Sequence, residues 1–239
     1  MNALAAKNLI YAYRNSSAKV LDGLTLEIAE GSFEALMGPS GCGKSTFLHI
    51  AAGLLSPQEG KMEIAGEDVG AMNDSAAAKF RRRNIGFVQQ DGNLVETLSV
   101  SENAVLPATL AGERPVWTRF YTLAAKLGLW GLEEKYPAEL SGGERQRAAI
   151  ARALYAEPAI ILADEPTGSL DLANARKIRA ILQELNKTEK SAILLVTHDP
   201  QMAAAADRVH FLKDGRIASS HPTGHDAAEV SRLYLETYK

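Results

Sequence analysis

The sequence has one cysteine, no excess of positive charge and no long apolar run, and each of these absences excludes a class of protein. A single thiol, Cys42, cannot form a disulfide within the chain, which suits a reducing compartment. The formal net charge of −3 gives no global basic field, so the composition does not indicate a nucleic-acid partner. The longest apolar stretches have the length of strands and are broken by charges, whereas a membrane-spanning helix needs about 20 apolar residues.

The first residues also lack the apolar core of a secretion signal, because Lys7 interrupts a short apolar patch. We therefore expect a soluble chain, for which separate subunits would supply any pathway across a membrane. Its 239 residues, 46% of them hydrophobic, suffice for one large or two small domains with an ordinary core. No internal repeat, low-complexity segment or long linker divides the sequence.

The most informative segment is a glycine-rich loop between a predicted buried strand, residues 33–37, and a predicted helix that starts at residue 47. Residues 38–46 read GPSGCGKST and match the phosphate-binding pattern G-x-x-x-x-G-K-[ST] in full. The glycines let backbone N–H groups turn inward around a phosphate, and the helix N-terminus adds partial positive charge. Lys44 supplies a full charge for the β- and γ-phosphates, and the Ser45 hydroxyl can ligate Mg²⁺. The residues assigned to the nucleotide here are Gly38, Ser40, Gly41, Cys42, Gly43, Lys44, Ser45 and Thr46.

A second segment, residues 140–147, reads LSGGERQR and opens a predicted helix that runs to about residue 157. Ser141 is a good N-cap residue, and the glycines Gly142 and Gly143 leave backbone donors open to an anion. Apolar residues at spacings i, i+3 and i+4 predict one buried face of this helix: Ile150, Ala153 and Leu154. By itself, the pattern indicates only a capped helix with a charged face.

Taken together, the two segments resemble those of the ATP-binding-cassette (ABC) ATPases, in which residues 140–147 match the signature sequence. The resemblance extends over nearly the whole chain, from about residue 4 to residue 217. It implies an α/β fold: a P-loop NTPase core of the ABC type, with an antiparallel β subdomain and an inserted α-helical subdomain. It also implies an ATPase that uses Mg²⁺ as its cofactor.

The resemblance assigns roles to residues that follow in the expected order. Asp164 matches the aspartate linked to Mg²⁺, and Glu165 matches the general base for water. His198, which follows a predicted strand, matches the switch histidine that contacts the γ-phosphate. The implied catalytic residues are Glu165, His198 and Lys44, and the implied metal ligands are Ser45, Gln90 and Asp164. Further nucleotide contacts are implied for Tyr13, Gln90, Ser141, Gly142, Gly143 and Asp171, the last in a loop that crosses to a partner subunit.

Two of these assignments have a close alternative in the sequence. Gln89 precedes Gln90 after the strand predicted over residues 85–88, and the register favours Gln90. Tyr13 matches the N-terminal aromatic residue that stacks on adenine in the family, with Tyr11 as the alternative. An exposed tyrosine on an edge strand would explain Tyr13 equally well.

The predicted organisation is a single nucleotide-binding domain over residues 3–219, split by a helical insertion. The core lobe comprises residues 3–90 and 158–219, the helical lobe residues 91–157, and a tail with a short helix residues 220–239. Strands are predicted over residues 4–10, 24–28, 33–37, 62–64, 85–88, 159–163, 191–197, 209–212 and 216–219, with a hairpin turn at Asp214-Gly215. Helices are predicted over residues 74–83 and 226–238, and we expect the arginines at 81–83 to form a solvated helix end.

Within the superfamily, the sequence looks closest to the ATPase subunits of the lipoprotein-release, macrolide-export and bacitracin-resistance group. The supporting segments are residues 86–90, 102–107, 135–137 and 163–171, and residues 93–98 resemble the bacitracin-type members more. This resemblance implies a head-to-tail homodimer closed by two ATP molecules and an integral membrane permease with a large extracytoplasmic domain. It also implies a cytoplasmic chain at the inner face of the cell membrane.

Three classes of function agree with such a cassette. The first is an ATPase subunit that drives export or extraction of a lipid, lipoprotein or peptide. The second is an ATPase module of a mechanotransmission or sensory complex that acts on an envelope enzyme or sensor kinase. The third, a translation or DNA-repair ATPase, is disfavoured because those chains usually carry two cassettes or a long coiled-coil insertion. The membrane partner chooses the cargo, so this sequence does not name it.

The segment after Gln90 carries apolar residues in what otherwise resembles a loop. These residues, Leu94, Val95 and Leu98, suit either a contact site for a membrane subunit or packing beneath the helical lobe. Both alternatives remain open at the level of the sequence.

Overall fold

The computed structural model of the chain describes residues 1–14 and 18–239, and these residues contain ten strands and eight α-helices. The strands are β1 (Asn2–Tyr11), β2 (Leu21–Ala29), β3 (Phe33–Met37), β4 (Glu59–Ile64), β5 (Glu67–Asp68), β6 (Ile85–Val88), β7 (Ile160–Asp164), β8 (Ala192–Val196), β9 (Arg208–Lys213) and β10 (Arg216–Pro222). The helices are α1 (Lys44–Ala51), α2 (Asp74–Asn84), α3 (Val100–Leu110), α4 (Trp117–Leu127), α5 (Gly142–Tyr155), α6 (Leu172–Glu189), α7 (Pro200–Ala203) and α8 (Ala227–Tyr238). Short 3₁₀ turns lie at Val69–Ala71 and Pro137–Glu139.

The central sheet has the strand order β10-β9-β3-β8-β7-β6. Its first pair is antiparallel, and the other neighbouring strands run parallel. Strands β3 and β8 are buried along their whole length, because both faces of this sheet are covered. The carboxyl ends of β3, β6, β7 and β8 therefore meet at one edge, where ligands of open α/β sheets bind.

A second, antiparallel sheet has the order β2-β1-β4-β5 and packs against α1 and the central sheet. Their shared core includes Leu4, Leu24, Phe47, Leu162 and Leu194. This sheet lies where the ABC resemblance predicts an antiparallel β subdomain. It fixes the position of α1 and of the loop that precedes it.

Helices α3, α4 and α5 form the inserted helical part, with the ring of Phe120 fully buried among them. The predicted burial of Ile150, Ala153 and Leu154 on α5 is confirmed. The prediction of a single buried face was too narrow, because the four consecutive residues 148–151 are all buried and point to all sides of the helix. One hydrophobic cluster runs continuously from Phe33 in the central sheet to these helices. The boundaries of the two lobes remain a prediction.

The arginine-rich end of α2 differs from our expectation of a solvated helix end. Arg81 donates hydrogen bonds to the carbonyls of Ala52 and Gly53, at distances of 3.0 and 3.2 Å. Arg82 donates to the carbonyl of Leu110 at the end of α3. The expectation was wrong for these two residues because their long side chains reach the open carbonyls of neighbouring helix ends. Arg83, which pairs with an exposed glutamate, is solvated as predicted.

The C-terminal part of the chain folds back onto the central sheet. The predicted hairpin turn is confirmed between β9 and β10, where Asp214 and Gly215 both have positive φ angles, 50° and 72°. Helix α8 packs against β9 and α7 through the buried residues Val230 and Leu233. Across the described residues, every helix is too short or too polar to traverse a bilayer.

Candidate nucleotide site

The phosphate loop joins the end of β3 to the start of α1. Gly43 occupies the N-cap position of α1 with a φ of 108° and offers no side-chain cap, so the first N–H groups of the helix remain open to a ligand. A Cβ atom at this position would lie 2.9 Å from the carbonyl of Val20, so only glycine fits. The loop therefore has the open backbone donors that the sequence pattern predicts.

Lys44 is buried, and its side chain folds back onto the phosphate loop that precedes it. Its Nζ donates hydrogen bonds to the carbonyls of Gly38 and Pro39, at 2.8 and 3.0 Å. A phosphate oxygen is a stronger acceptor than a neutral carbonyl for an ammonium group. The side chain is thus held where a phosphate bound by the loop would meet its charge.

Asp164 ends β7 beside the Ser45 hydroxyl, which forms a hydrogen bond with the carboxylate. Burial, and secondarily the nearby charge of Glu165, raises the pKa of Asp164 above its ordinary value, and the hydrogen bond from Ser45 opposes the rise. A buried carboxylate next to a hydroxyl is a set of hard oxygen donors, which suits Mg²⁺. Within residues 1–14 and 18–239 no cluster of three His, Cys, Asp or Glu side chains forms a metal cage. Mg²⁺ commonly binds through one or two carboxylates together with substrate phosphates, so the residues present fit this ion.

Glu165 and His198 come together because β7 and β8 are parallel neighbours. The register pairs Asp164 with Val196, so the residues that follow each strand lie side by side. His198 Nδ1 is 2.7 Å from Glu165 Oε1, and Thr197 donates its hydroxyl to Glu165 Oε2 at 3.1 Å. Both carboxylate oxygens of Glu165 are therefore held by side chains from the end of β8.

The environments of these two side chains differ. Glu165 has 19% of its side chain exposed and a left-handed backbone with a φ of 46°, whereas 71% of His198 is exposed. A non-glycine residue in the left-handed region is conformationally costly and persists only where its surroundings fix it. The backbone N–H of Glu165 donates a hydrogen bond to the Val196 carbonyl at 2.9 Å, and this bond helps to hold Glu165 in the left-handed conformation. The exposed imidazole can rotate with less resistance than the carboxylate.

The neighbouring glutamines after β6 face different surroundings. Gln90 lies against the loop that follows Glu165, since a Cβ atom on Gly168 would be 3.0 Å from Gln90 Nε2. Gln89 lines a groove on the other side, together with Arg152 and Leu54. These contacts agree with the preference for Gln90, whose role at the metal remains a prediction.

Helix α5 is bonded directly to the segment that carries these glutamines. Gln146 donates to the carbonyl of Gln89 at 3.0 Å. Arg152 donates to the carbonyls of Gly92 and Asn93 at 2.8 and 2.7 Å, and both acceptor residues have positive φ angles. Three side-chain bonds thus join the segment 89–93 to α5.

Tyr13 and Tyr11 differ in their contacts and in how well a ligand could reach their rings. The Tyr13 hydroxyl lies 3.1 Å from the hydroxyl of Thr46 in α1, and 46% of Tyr13 is exposed. Tyr11 meets Tyr13 edge-on at 5.1 Å and packs against the core of the antiparallel sheet. Tyr13 thus offers its ring to a ligand above α1, and its contact with adenine remains a prediction.

The signature segment begins α5 with the predicted cap. Ser141 accepts a bond from the Glu144 N–H at 3.3 Å, and the Glu144 carboxylate accepts from the Ser141 N–H at 2.8 Å. The hydrogen bonds from Ser141 lower the pKa of Glu144 below its usual range. Gly142 lies against Leu170, and Gly143 lies against the start of α6, where a Cβ atom on Gly143 would come within 2.5 Å of Asn174.

Asp171 is the N-cap of α6, and its carboxylate accepts from the N–H and the side-chain amide of Asn174 at 2.9 and 2.6 Å. This cap orders the end of the 168–171 loop beside the signature glycines. The predicted contact of Asp171 with a partner subunit remains untested. Thr197 was not among the predicted site residues, although its position between the buried strand β8 and His198 was a usable signal.

The thiol of Cys42 is half-buried, and burial raises its pKa above the ordinary value. A raised pKa keeps the thiol protonated, so Cys42 is better described as a small neutral residue that fits the loop than as a reactive thiolate. We expect maleimide to label Cys42 slowly at pH 7 and faster as the pH rises. The adduct should abolish ATP binding because it spreads the loop, and Mg-ATP should protect the thiol.

Labelling measured by mass spectrometry with and without Mg-ATP checks this prediction, with Cys42→Ser as the unreactive control. Equal labelling rates in both conditions would mean that the thiol lies outside the region that the nucleotide protects.

Comparisons with known proteins agree with this geometry. The sequence model of the ABC transporter family matches residues 21–168. The chain is 43% identical to the ABC transporter ATP-binding protein YxdL of Bacillus subtilis, over 90% of this chain and 85% of that protein. It is 36% identical to the bacitracin export ATP-binding protein BceA of Halalkalibacterium halodurans, over 96% and 92%. It is 42% identical to the lipoprotein-releasing system ATP-binding protein LolD of Colwellia psychrerythraea, over 87% and 81%.

A solved structure gives the same result at the level of the fold. The chain superimposes on the ATP-binding cassette MJ0796, a dimer in a post-hydrolysis state with ADP and phosphate, with a TM-score of 0.84 and 36% identity. The match covers 92% of this chain and 98% of that one. The protein belongs to the ABC transporter family. Within that family it is an ATP-binding subunit with ATPase activity, and its fold is the P-loop ABC cassette.

Proposed function

We propose that this ATPase subunit powers a membrane partner that exports or extracts a lipid, a lipoprotein or a peptide. The observation on which the proposal rests is the groove between the two lobes. This groove is lined by Gln89 and by exposed apolar side chains. Similarity along most of the chain to proteins named for bacitracin export and lipoprotein release supports this choice. The partner would be an integral membrane permease with a large extracytoplasmic domain, holding the subunit at the cytoplasmic face.

The site suggests a division of labour during hydrolysis. The loop N–H groups and Lys44 bind the β- and γ-phosphates, while Tyr13 stacks on the adenine. Glu165, oriented by Thr197, accepts a proton from the attacking water. His198 would exchange its bond with Glu165 for one with the γ-phosphate, so its position reports whether that phosphate is present.

Mg²⁺ would be held by Ser45, Asp164 and Gln90, and when bound it neutralises charge on the phosphates. The chain contributes oxygen donors to this ion from the start of α1, from the end of β7 and from the segment after β6. Burial destabilises the charged form of the Asp164 carboxylate when no cation is bound, which is why its pKa is raised. A cation beside the carboxylate would therefore be favoured.

Two copies of the chain would complete the nucleotide site. The phosphate loop follows β3, whereas the signature residues Ser141, Gly142 and Gly143 open α5 beside α6. A head-to-tail pair, related by a two-fold axis, would let the signature of one copy cap the ATP on the other. Asp171 and its loop would lie at this contact. The dimeric arrangement of the cassette MJ0796 supports the proposal.

The groove has a volume of about 500 Å³ and chemistry that suits a short amphipathic helix. Two of its apolar side chains, Leu54 and Leu110, are largely exposed. Arg82 and Arg152 also line the groove and add positive charge to it. A cytoplasmic helix of the permease would place its apolar face on the leucines, and it would touch the segment that begins with Gln89.

The three apolar residues beyond Gln90 differ in exposure, and Leu98 is half-buried. Leu94 is 8% exposed and belongs to the core, whereas Val95 is 39% exposed. Asn103 holds the Val95 backbone in place, accepting from its N–H at 2.8 Å and donating to its carbonyl at 3.0 Å. Packing therefore explains Leu94, and the contact-site alternative applies to Val95.

We expect Val95→Glu to weaken assembly with the permease by at least about fivefold, because a charge would replace an apolar contact. ATP binding by the isolated subunit should be unchanged, since the backbone at this position is fixed by Asn103. Co-purification with the membrane protein encoded in the neighbouring reading frame measures assembly, and nucleotide titration and a thermal melt accompany it.

Val95→Thr, which keeps the shape without the charge, is the matched control. Intact assembly of Val95→Glu would mean that the permease docks away from Val95, which does not itself line the groove. A large drop in melting temperature would instead show that Val95 contributes to the core.

The proposed function itself is tested with the purified complex in lipid nanodiscs. ATPase activity should rise when the permease is present and respond to a lipoprotein or peptide cargo, and release of that cargo should require hydrolysis. An ATPase rate that ignores both the permease and the cargo would overturn the proposal of a transporter subunit.

A further inference from the structure

The C-terminal helix reaches back to the base of the phosphate loop. Tyr238, the last residue of α8, shares its single hydroxyl proton between the carbonyl of Leu212, at 2.8 Å, and the carbonyl of Met37, at 3.3 Å. Met37 is the last residue of β3 and immediately precedes Gly38, the first residue of the loop. A residue 201 positions away in the sequence therefore touches the point where the loop begins.

The bond to Met37 constrains the first peptide of the loop. The Met37 carbonyl and the Gly38 N–H belong to one planar peptide unit, so fixing the first fixes the direction of the second. Gly38 is enclosed on this side, since a Cβ atom there would lie 3.2 Å from the Tyr238 hydroxyl and 2.6 Å from Cys42 Sγ. The carbonyl of Gly38 accepts from Lys44 at 2.8 Å. The start of the loop is thus held by Tyr238 on one side and by Lys44 on the other.

The Tyr238 side chain is itself held in place. Its ring lies 4.5 Å from that of Tyr234 and 6.3 Å from that of Phe211, and the helix is anchored by buried Val230. Lys213 donates to the carbonyl of Thr237 at 3.0 Å, which fastens the last turn. Burial is the largest cause that raises the pKa of Tyr238, so the hydroxyl remains a protonated donor.

We infer that Tyr238 is a positioning residue for the phosphate loop: its hydroxyl holds the Met37–Gly38 peptide in the orientation that binds ATP. The C-terminal helix thereby sets the affinity for the nucleotide without touching it. The inference rests on the proposed role of this loop as the ATP site and is independent of the membrane partner.

Two phenylalanine substitutions on the same helix separate this role from packing. Tyr238→Phe keeps the ring and removes only the hydroxyl, and we expect its KM for ATP to rise about three- to tenfold with kcat nearly unchanged. Tyr234→Phe keeps the neighbouring ring, and among the described residues its hydroxyl has no bond to Met37 or Leu212. It should leave KM, kcat and melting temperature unchanged.

The reactivity of Cys42 provides a readout that does not depend on ATP. In the nucleotide-free protein, Tyr238→Phe should increase the rate of maleimide labelling of Cys42, because the loop loses a restraint beside the thiol. Tyr234→Phe should label like the parent protein. Faster labelling together with a raised KM supports the inference.

A KM and a labelling rate equal to those of the parent in Tyr238→Phe would overturn it, as would equal changes in both variants. If the parent protein itself failed to bind ATP at this loop, the proposed nucleotide site would fail. The labelling rates would still decide whether Tyr238 restrains the loop.

Discussion

Replacing Glu165 by glutamine is expected to lower ATP turnover by about 10²–10⁴-fold while ATP binding persists. The amide of glutamine keeps the size of the side chain and an oxygen that can accept the bond from Thr197, but it is not a base for water. The variant should also accumulate an ATP-bound dimer. Phosphate release measured with the membrane partner present, and size-exclusion chromatography with ATP, check these two expectations.

Glu157 provides a matched control for this substitution. It is another glutamate with a left-handed backbone, at a φ of 51°, but it is exposed beyond the end of α5 and pairs with Arg119 at 2.8 Å. Glu157→Gln should retain full turnover. Near-normal turnover in Glu165→Gln would remove Glu165 from the role of base.

The loss of the Lys44 charge is expected to weaken nucleotide binding about 10- to 100-fold, since hydrogen bonds to charged groups contribute about 1.5–3 kcal/mol each. Lys44→Ala removes the donor that now bridges the carbonyls of Gly38 and Pro39 and would otherwise meet the phosphates. Calorimetric titration with ATP measures the effect.

Lys61→Ala is the control, because Lys61 is an exposed lysine on β4 that pairs with Glu63 at 2.6 Å. A melt of both variants shows whether the loop change has spread to the fold. Unchanged ATP affinity in folded Lys44→Ala would mean that the backbone N–H groups alone hold the phosphates.

Features set by local sequence could be predicted before the fold was seen. Strand β8 is a continuous apolar run, and β3 is apolar except for Glu34, because both faces of the sheet are covered. The turn at Asp214-Gly215 was predictable because a two-residue hairpin loop needs positive φ angles that these residue types adopt. The Ser141 cap was predictable for a similar reason, since its bonding partner is three residues away.

Contacts between distant segments could not be predicted in this way. The bond between Glu165 and His198 depends on the register of β7 against β8, which neither strand specifies alone. The two carbonyls that bind Arg81 belong to a helix end 29 and 28 residues earlier. No local pattern marks Tyr238, because its acceptors lie on two other strands. The sequence therefore indicated candidate site residues, and the sheet determined which of them touch.

The three bonds that join α5 to the segment 89–93 give the molecule a mechanical property. Gln146 and Arg152 hold carbonyls at both ends of that segment, so it cannot slide independently of the helix. A displacement of the groove wall would therefore move α5 as one rigid element. The N-terminal end of the helix, at Ser141, would move with it. The same linkage works in reverse, so a load on the signature end is felt at the groove. One helix would then connect the proposed docking groove for the membrane partner with the proposed contact to the second copy.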